Sequence, residues 1–482
     1  MKVTMIRIIN KYKKLSKPTK ASVWFVISNV VLKGISFFTL PIFSRLLTTS
    51  QYGVVSVYSS WVATISIITT LTIWGGVFNV GMIKYADRQK EMISAFQGLA
   101  TSITLIFAVI SIAFLNNLSQ ILGISKFLVI CMYIEILSQI PLNIWITEQR
   151  YKFEYKAIIL MTVITAIISP IIGIILVSST LYKAEARVIS NMIVNLFIAL
   201  ILFIHNQKAG KCYYNKEFWK FGFLFNVVLI PHYLSTQVLN QADRIMINSL
   251  CGSSDAGVYS VAYNFALLLN LVTNGINSSL TPRVYQTLKS GDTSSLKKET
   301  TGIVLFVAVM AFALVCVIPD IFIILLPESY QKALYVIPPV TIGAFFLFLY
   351  PLFGSIEFYY EENKYVTLAS VLGAVLNIVL NYIFIKLIGF IAAAYTTLIC
   401  YMLFSVLHYG FMKKVLKKNG KENNIYDIKA IFIISIGLIA STFLIVLLYE
   451  QSICRWLVLI SIGIIIFIFR KKLYALITAL KG

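Results

Sequence analysis

Lys33 lies twelve residues into an otherwise apolar run at 21–41. That places it about 18 Å along a helix, and a lysine at the bilayer centre costs about 2.5–3.5 kcal/mol to insert. Such a cation snorkels outward, pairs with a buried carboxylate such as Glu135, or lines a wet cavity that receives an anion. Arg45 ends the same run, and Arg244 stands beside Asp243 at the end of the run at 219–241. Each is either part of a solvated or structural group at a helix end or a guanidinium fork for phosphate. Glu135, midway along the run at 127–145, is a coupling candidate: it carries a proton, helps to hold a sodium ion, or serves as one half of an ion pair or as a hydrogen-bonded acid. Glu357, near the end of its own run, reads as a marker of the membrane interface. Asn270, Asn274 and Asn277 recur at i, i+4 and i+7, and Asn377 and Asn381 at i and i+4, so each set shares one helix face. Amides there hold sugar hydroxyls or hold helices together. His232 follows Pro231, and a proline at that point frees a backbone carbonyl and breaks a helix.

These residues need elements that live in lipid. The chain is 59% hydrophobic and only 12% charged, with a mean hydropathy of +0.85. Soluble domains carry about 45–50% apolar and about 25% charged residues. Apolar runs of about twenty residues select membrane helices over alternating barrel strands. The fold class expected is all-α integral membrane, with about fourteen spans near 21–41, 54–79, 92–115, 127–145, 157–178, 187–205, 219–241, 256–281, 302–326, 334–357, 365–385, 388–411, 429–449 and 453–470. The third, seventh and eighth are rich in Ser, Thr, Asn and Gln, so they must face protein or a water-filled cavity. The first run has no small-residue cleavage site after it and is expected to be retained as a span.

The net charge of +22 is explained by topology rather than nucleic acid, because the Lys and Arg side chains sit almost entirely between the runs. With the N-terminus inside, inner segments outnumber outer loops in Lys and Arg by roughly four to one. A miscounted span would swap the sign of every later loop. Both termini are therefore expected in the cytoplasm. The six cysteines have no CxxC spacing, so neither a metal site nor a disulfide framework is indicated. No Walker A sequence is present, no loop is long enough for a soluble domain, and the segment 41–53 contains no Asp or Glu. Polytopic glycosyltransferases usually carry acidic catalytic residues in such a loop, and polymerases a large outer loop, so an enzyme is disfavoured.

Ser50–Val57 and Ser254–Val261 share Ser, Gly, Val, Ser and Val without a gap at an offset of 204 residues. Six spans fit that offset, which suggests two halves of the same orientation, a transporter signature. The organisation expected is a basic N-terminus at 1–20, a six-helix bundle at 21–205, a linker at 206–218, a second bundle at 219–411, a basic loop at 412–428 and an appended helix pair with the C-terminus at 429–482.

The segment from Pro41 to Gly53 resembles the end of the first helix in bacterial polysaccharide flippases, and Asp243–Ile247 followed by Ala256–Ser260 resembles the start of their second half. These flippases belong to the multidrug/oligosaccharidyl-lipid/polysaccharide exporter superfamily, and the resemblance covers essentially the whole chain. It implies two six-helix bundles around a central cavity that translocate an undecaprenyl-pyrophosphate-linked oligosaccharide across the bacterial cell membrane by alternating access. The product would be a capsule, O-antigen or exopolysaccharide. It further implies membrane lipids and polysaccharide-assembly proteins such as a polymerase as partners, no cofactor beyond a proton or sodium gradient, and no nucleic acid. Lys33, Arg45 and Arg244 would then compensate the pyrophosphate charge. A lipid II flippase and a drug/cation antiporter of the same superfamily are the alternatives, and a glycosyltransferase or polymerase the more distant one.

Overall fold

The computed structural model describes residues 17–290, 294–421 and 425–468, and every regular element in them is helical. The chain divides into two compact units, 1–234 and 235–482.

The first unit contains α1 (Lys17–Leu46), α2 (Thr49–Thr70), α3 (Gly76–Lys84), α4 (Gln89–Ala113), α5 (Leu115–Leu122), α6 (Lys126–Tyr151), α7 (Tyr155–Ser178), α8 (Lys183–Gly210) and α9 (Lys216–Val227). The next helix, α10 (Ile230–Cys251), begins in this unit and ends in the second. The second unit continues with α11 (Ser253–Ala266), α12 (Leu269–Ser290), α13 (Ser294–Leu325), α14 (Ile337–Tyr359), α15 (Asn363–Ile388), α16 (Ala392–Lys418), α17 (Ile428–Val446) and α18 (Ser452–Ile468).

Among the described residues ten helices are long and apolar enough to cross a membrane, or up to twelve if each of two bent pairs counts as one span. The spans expected at 21–41 and 453–470 fall on α1 and α18, the last two residues of the latter run lying outside the described residues. The protein is thus a multi-pass helical membrane protein. Three expected spans are not continuous rods. The run at 54–79 stops at Thr70, because Leu71 and Thr72 take left-handed backbone angles (φ 54° and 48°) and the chain turns before α3. The run at 219–241 bends by 51° between α9 and α10. Pro231 has no N–H to return to Val227, which removes one helical hydrogen bond at the bend, although Pro141, Pro170 and Pro351 lie inside helices that continue past them. The run at 256–281 bends by 45° between α11 and α12, where no proline or glycine marks the break. Broken helices survive in a membrane where protein or water satisfies the freed backbone groups, which fits the polar composition of these two runs.

Local chemistry sets the helix starts. Thr48 and Gln51 form a reciprocal capping box at α2: Gln51 N donates to Thr48 Oγ1 (3.2 Å) and Thr48 N donates to Gln51 Oε1 (3.0 Å). The corresponding start of α11 follows Gly252, whose φ of +98° admits no side chain comfortably. Within the first unit α2 packs on α6, and α6 and α7 pack on α8. Within the second unit α11 packs on α14, and α14 and α15 pack on α16. The two units therefore use the same pairing order, and Gly53 and Gly257, 204 residues apart, are both buried at equivalent helix starts.

Each unit has its own core. Phe78, Met92, Phe96 and Phe218 centre one, and Val315, Phe345, Phe348 and Tyr401 the other. Gly98 and Gly210 permit close approach in the first: a Cβ would stand 2.1 Å from the Tyr213 carbonyl oxygen at Gly98 and 2.2 Å from that of Lys90 at Gly210. The outer surface is apolar. Leu160, Ile164, Ile168 and Ile175 of α7 are exposed, an arrangement that water would not support but lipid does.

Candidate functional site

Five polar side chains converge in the second unit. Asp243 of α10 is buried, and its Oδ2 accepts hydrogen bonds from Tyr259 Oη of α11 and Thr397 Oγ1 of α16, both at 2.7 Å. Its Oδ1 accepts from Asn381 Nδ2 of α15 at 2.7 Å and from Asn377 Nδ2 at 3.4 Å. Asn381 also donates to Asn377 Oδ1 (3.2 Å), and Thr396 Oγ1 donates to Asn381 Oδ1. One carboxylate thereby ties four helices. A buried carboxylate is tolerable only with such a donor set. Among the described residues no group of three or more His, Cys, Asp or Glu converges on a metal position.

Arg244, next in sequence, does not pair with Asp243. It is buried, stacks 4.6 Å from the Tyr263 ring centroid, and donates through Nη1 to Gln241 Oε1 (2.6 Å) and the Asn240 carbonyl (3.2 Å). Asp243 and Arg244 are thus two buried groups with separate partners and not a solvated pair. Asn377 and Asn381 hold helices together here. Asn270, Asn274 and Asn277 lie on α12 just after the bend; Asn274 is exposed, and Asn277 Oδ1 is buried without a hydrogen bond to any described residue.

In the first unit Lys33 is exposed on α1 and has no hydrogen bond or ion pair with a described residue. The pairing of Lys33 with Glu135 does not form. Glu135 accepts instead from Tyr58 Oη at 2.7 Å, with Arg187 of α8 within electrostatic reach. Arg45 is exposed in the last turn of α1. Arg187 is partly buried over the Phe43 ring (4.1 Å) and donates to Asn191 Oδ1 (2.9 Å). A cavity of about 270 Å³ in this unit is lined by Lys90, Glu148, Lys152, His205 and Asn206, and includes none of the residues singled out from sequence.

Three buried ionic groups escaped the sequence reading. Glu357 is not at an interface: it is wholly buried, with His408 Nδ1 2.9 Å from its Oε1. Arg455 is wholly buried and bonded to Asp320 of α13 (2.6 Å). Asp243 was read as lying at a helix end. No local pattern distinguishes these from interfacial charges, since decisive partners lie far off in sequence: His408 is 51 residues from Glu357, Asp320 135 from Arg455, and Asn381 and Thr397 138 and 154 from Asp243. Between α14 and α15, Glu362 is bonded to Lys418 and to Lys364 (3.1 Å), and these two ammonium groups hold its carboxyl below the usual range.

Comparison with known proteins gives a consistent result. The family model described as "Polysaccharide biosynthesis protein" matches residues 19–288, and the MatE model matches 229–383. The Lsg locus protein 1 of Haemophilus influenzae is 23% identical over 374 residues, which is 75% of this chain and 90% of that protein. In fold, the chain is similar to the lipid II flippase MurJ in an inward closed conformation (TM-score 0.63, 15% identity, 93% of this chain and 99% of that one). It is also similar to an inward-facing multidrug resistance transporter of the MATE family (TM-score 0.59, 13% identity, 83% and 99%). The fold is that of transporters and flippases rather than of an enzyme.

Proposed function

Because this chain belongs to the polysaccharide biosynthesis protein family, a flippase and transporter group of the larger exporter superfamily, we propose that it moves undecaprenyl-pyrophosphate-linked oligosaccharide repeat units across the bacterial cytoplasmic membrane. The family match over residues 19–288 carries this reading. Lys33, exposed and without a partner among the described residues, supports it, since a lysine retained within a span needs an anion or water to compensate it. Lys33, Arg45 and Arg244 are the proposed pyrophosphate contacts, and Asn270, Asn274 and Asn277 the proposed sugar contacts. For coupling, the Asp243 cluster is a better candidate than Glu135. Five oxygen-bearing partners from neighbouring helices surround it or its amides, whereas Glu135 accepts one bond from Tyr58.

The test is reconstitution. Proteoliposomes holding the full chain and a fluorescent polyprenyl-pyrophosphate oligosaccharide should lose protection of the inner-leaflet sugar from an added glycosidase faster than empty vesicles. No acceleration with this substrate, but acceleration with lipid II, would select the second reading, which the likeness to the lipid II flippase fold favours. A drug antiporter would want open acidic groups, and Asp243 and Glu357 are buried and engaged.

The proposed orientation puts both termini and the basic loop at 412–428 in the cytoplasm. Reporter fusions after Gly420 and after Lys183 should report opposite sides of the membrane. Both on one side would overturn the orientation and the span order together.

A further inference from the structure

The second unit contains a titratable pair that substrate binding and the Asp243 cluster leave unused. Glu357 of α14 and His408 of α16 are both wholly buried, with Nδ1 2.9 Å from Oε1. Glu357 Oε2 and His408 Nε2 have no hydrogen-bond partner among the described residues. The Tyr350 ring lies 4.5 Å from the imidazole, centroid to centroid, and the Phe404 ring meets it edge-on at 4.6 Å. A Cβ at Gly354 would come 3.6 Å from His408 Nδ1, so α14 supplies a close wall there. Buried polar atoms are nearly always paired, so two orphans on one contact need an explanation.

We propose that Glu357 and His408 form a proton-binding site that holds one shared proton while α14 and α16 are closed and exchanges it when these helices part. The reason is charge. With one proton the pair is neutral, whether written as carboxylate and imidazolium or as acid and imidazole. A second proton leaves +1 in an apolar cage, and loss of the first leaves −1, and either buried net charge is costly. The orphaned Nε2 and Oε2 are the atoms that gain or lose that proton. Protonation and helix contact are therefore linked: each changes the other's equilibrium by the same factor.

Among the described residues no other charged side chain is bonded to Glu357 or His408. Tyr350 lies on α14 itself, and Tyr426, ahead of α17, donates its hydroxyl to the Leu352 carbonyl (2.8 Å). Arg283 of α12 pairs with Glu299 of α13, Lys364 and Lys418 with Glu362, and Asp427 accepts from Ala430 N at the start of α17. The site needs no assumption about the transported molecule, and its test does not use one.

Amide hydrogen exchange of the full chain in nanodiscs, corrected for intrinsic rates, reads the contact directly. Between about pH 5 and pH 9, a range spanning the usual histidine pKa, protection of peptides covering 345–360 and 398–412 should peak in the middle and fall at least about threefold towards both ends. Glu357→Gln should keep the fall on the acid side and lose it on the alkaline side. His408→Gln should do the opposite. Glu357→Leu with His408→Phe should remain protected and become flat, since buried pairs are often replaced by apolar side chains without loss of stability. A flat wild-type profile, or a profile that the single variants lower equally at every pH, would overturn the proposal and leave the pair a packing contact. If the double variant does not accumulate, the opposite slopes of the two single variants still decide.

Discussion

Asp243→Leu should remove most of the protein from the membrane. The substitution leaves Tyr259, Asn377, Asn381 and Thr397 without the acceptor to which all four donate. A buried donor left without its acceptor costs about 1–3 kcal/mol, so four of them together reach much of a domain's net stability of about 5–15 kcal/mol. Abundance read by immunoblot should fall at least about tenfold, since 1.4 kcal/mol is already a factor of ten. Asp243→Asn keeps the shape, turns one acceptor into a donor and removes the charge. It should accumulate better than the leucine variant and still fail to export polymer. Glu135→Gln, which keeps an acceptor for Tyr58, should reduce export much less. Normal abundance and export in Asp243→Asn would remove the cluster from both roles, and a stronger defect in Glu135→Gln would return the coupling role to Glu135.

Lys33→Ala should abolish polymer export while leaving abundance close to wild type. The side chain is exposed and has no partner among the described residues, so its removal breaks no contact in the fold. Surface substitutions of that kind usually change stability by less than about 0.5 kcal/mol. A hydrogen bond to a charged group contributes about 1.5–3 kcal/mol, which corresponds to a loss of at least about tenfold in transport. Lys33→Arg should retain partial activity, because the charge is kept while the donor geometry changes from a point charge to a planar fork. Polymer blots measured beside membrane abundance separate the two effects. Full export by the alanine variant would place Lys33 against lipid and strike it from the substrate path.

These expectations depend differently on sequence and on tertiary structure. Membrane class and helical architecture were legible in the chain itself. Apolar runs report on lipid because unsatisfied backbone groups cannot exist there, and the matching segments at Ser50 and Ser254 begin α2 and α11 at the same offset. Pro231 announced the bend between α9 and α10 for a local reason, its missing N–H. The bend between α11 and α12 had no such marker and emerged only in the fold.

Charges divided along the same line. Lys33 could be flagged by position alone, because depth in an apolar run is a sequence property. The surroundings of Asp243, Glu357 and Arg455 could not, since burial depends on what packs opposite. Asn381, His408 and Asp320 reach them from helices 51 to 138 residues away in the chain. A carboxylate near a helix end looks the same in sequence whether water or four hydrogen-bond donors surround it. Only the packing of α10, α11, α15 and α16 selects the second, because a charge shut away from water must find its donors inside the protein.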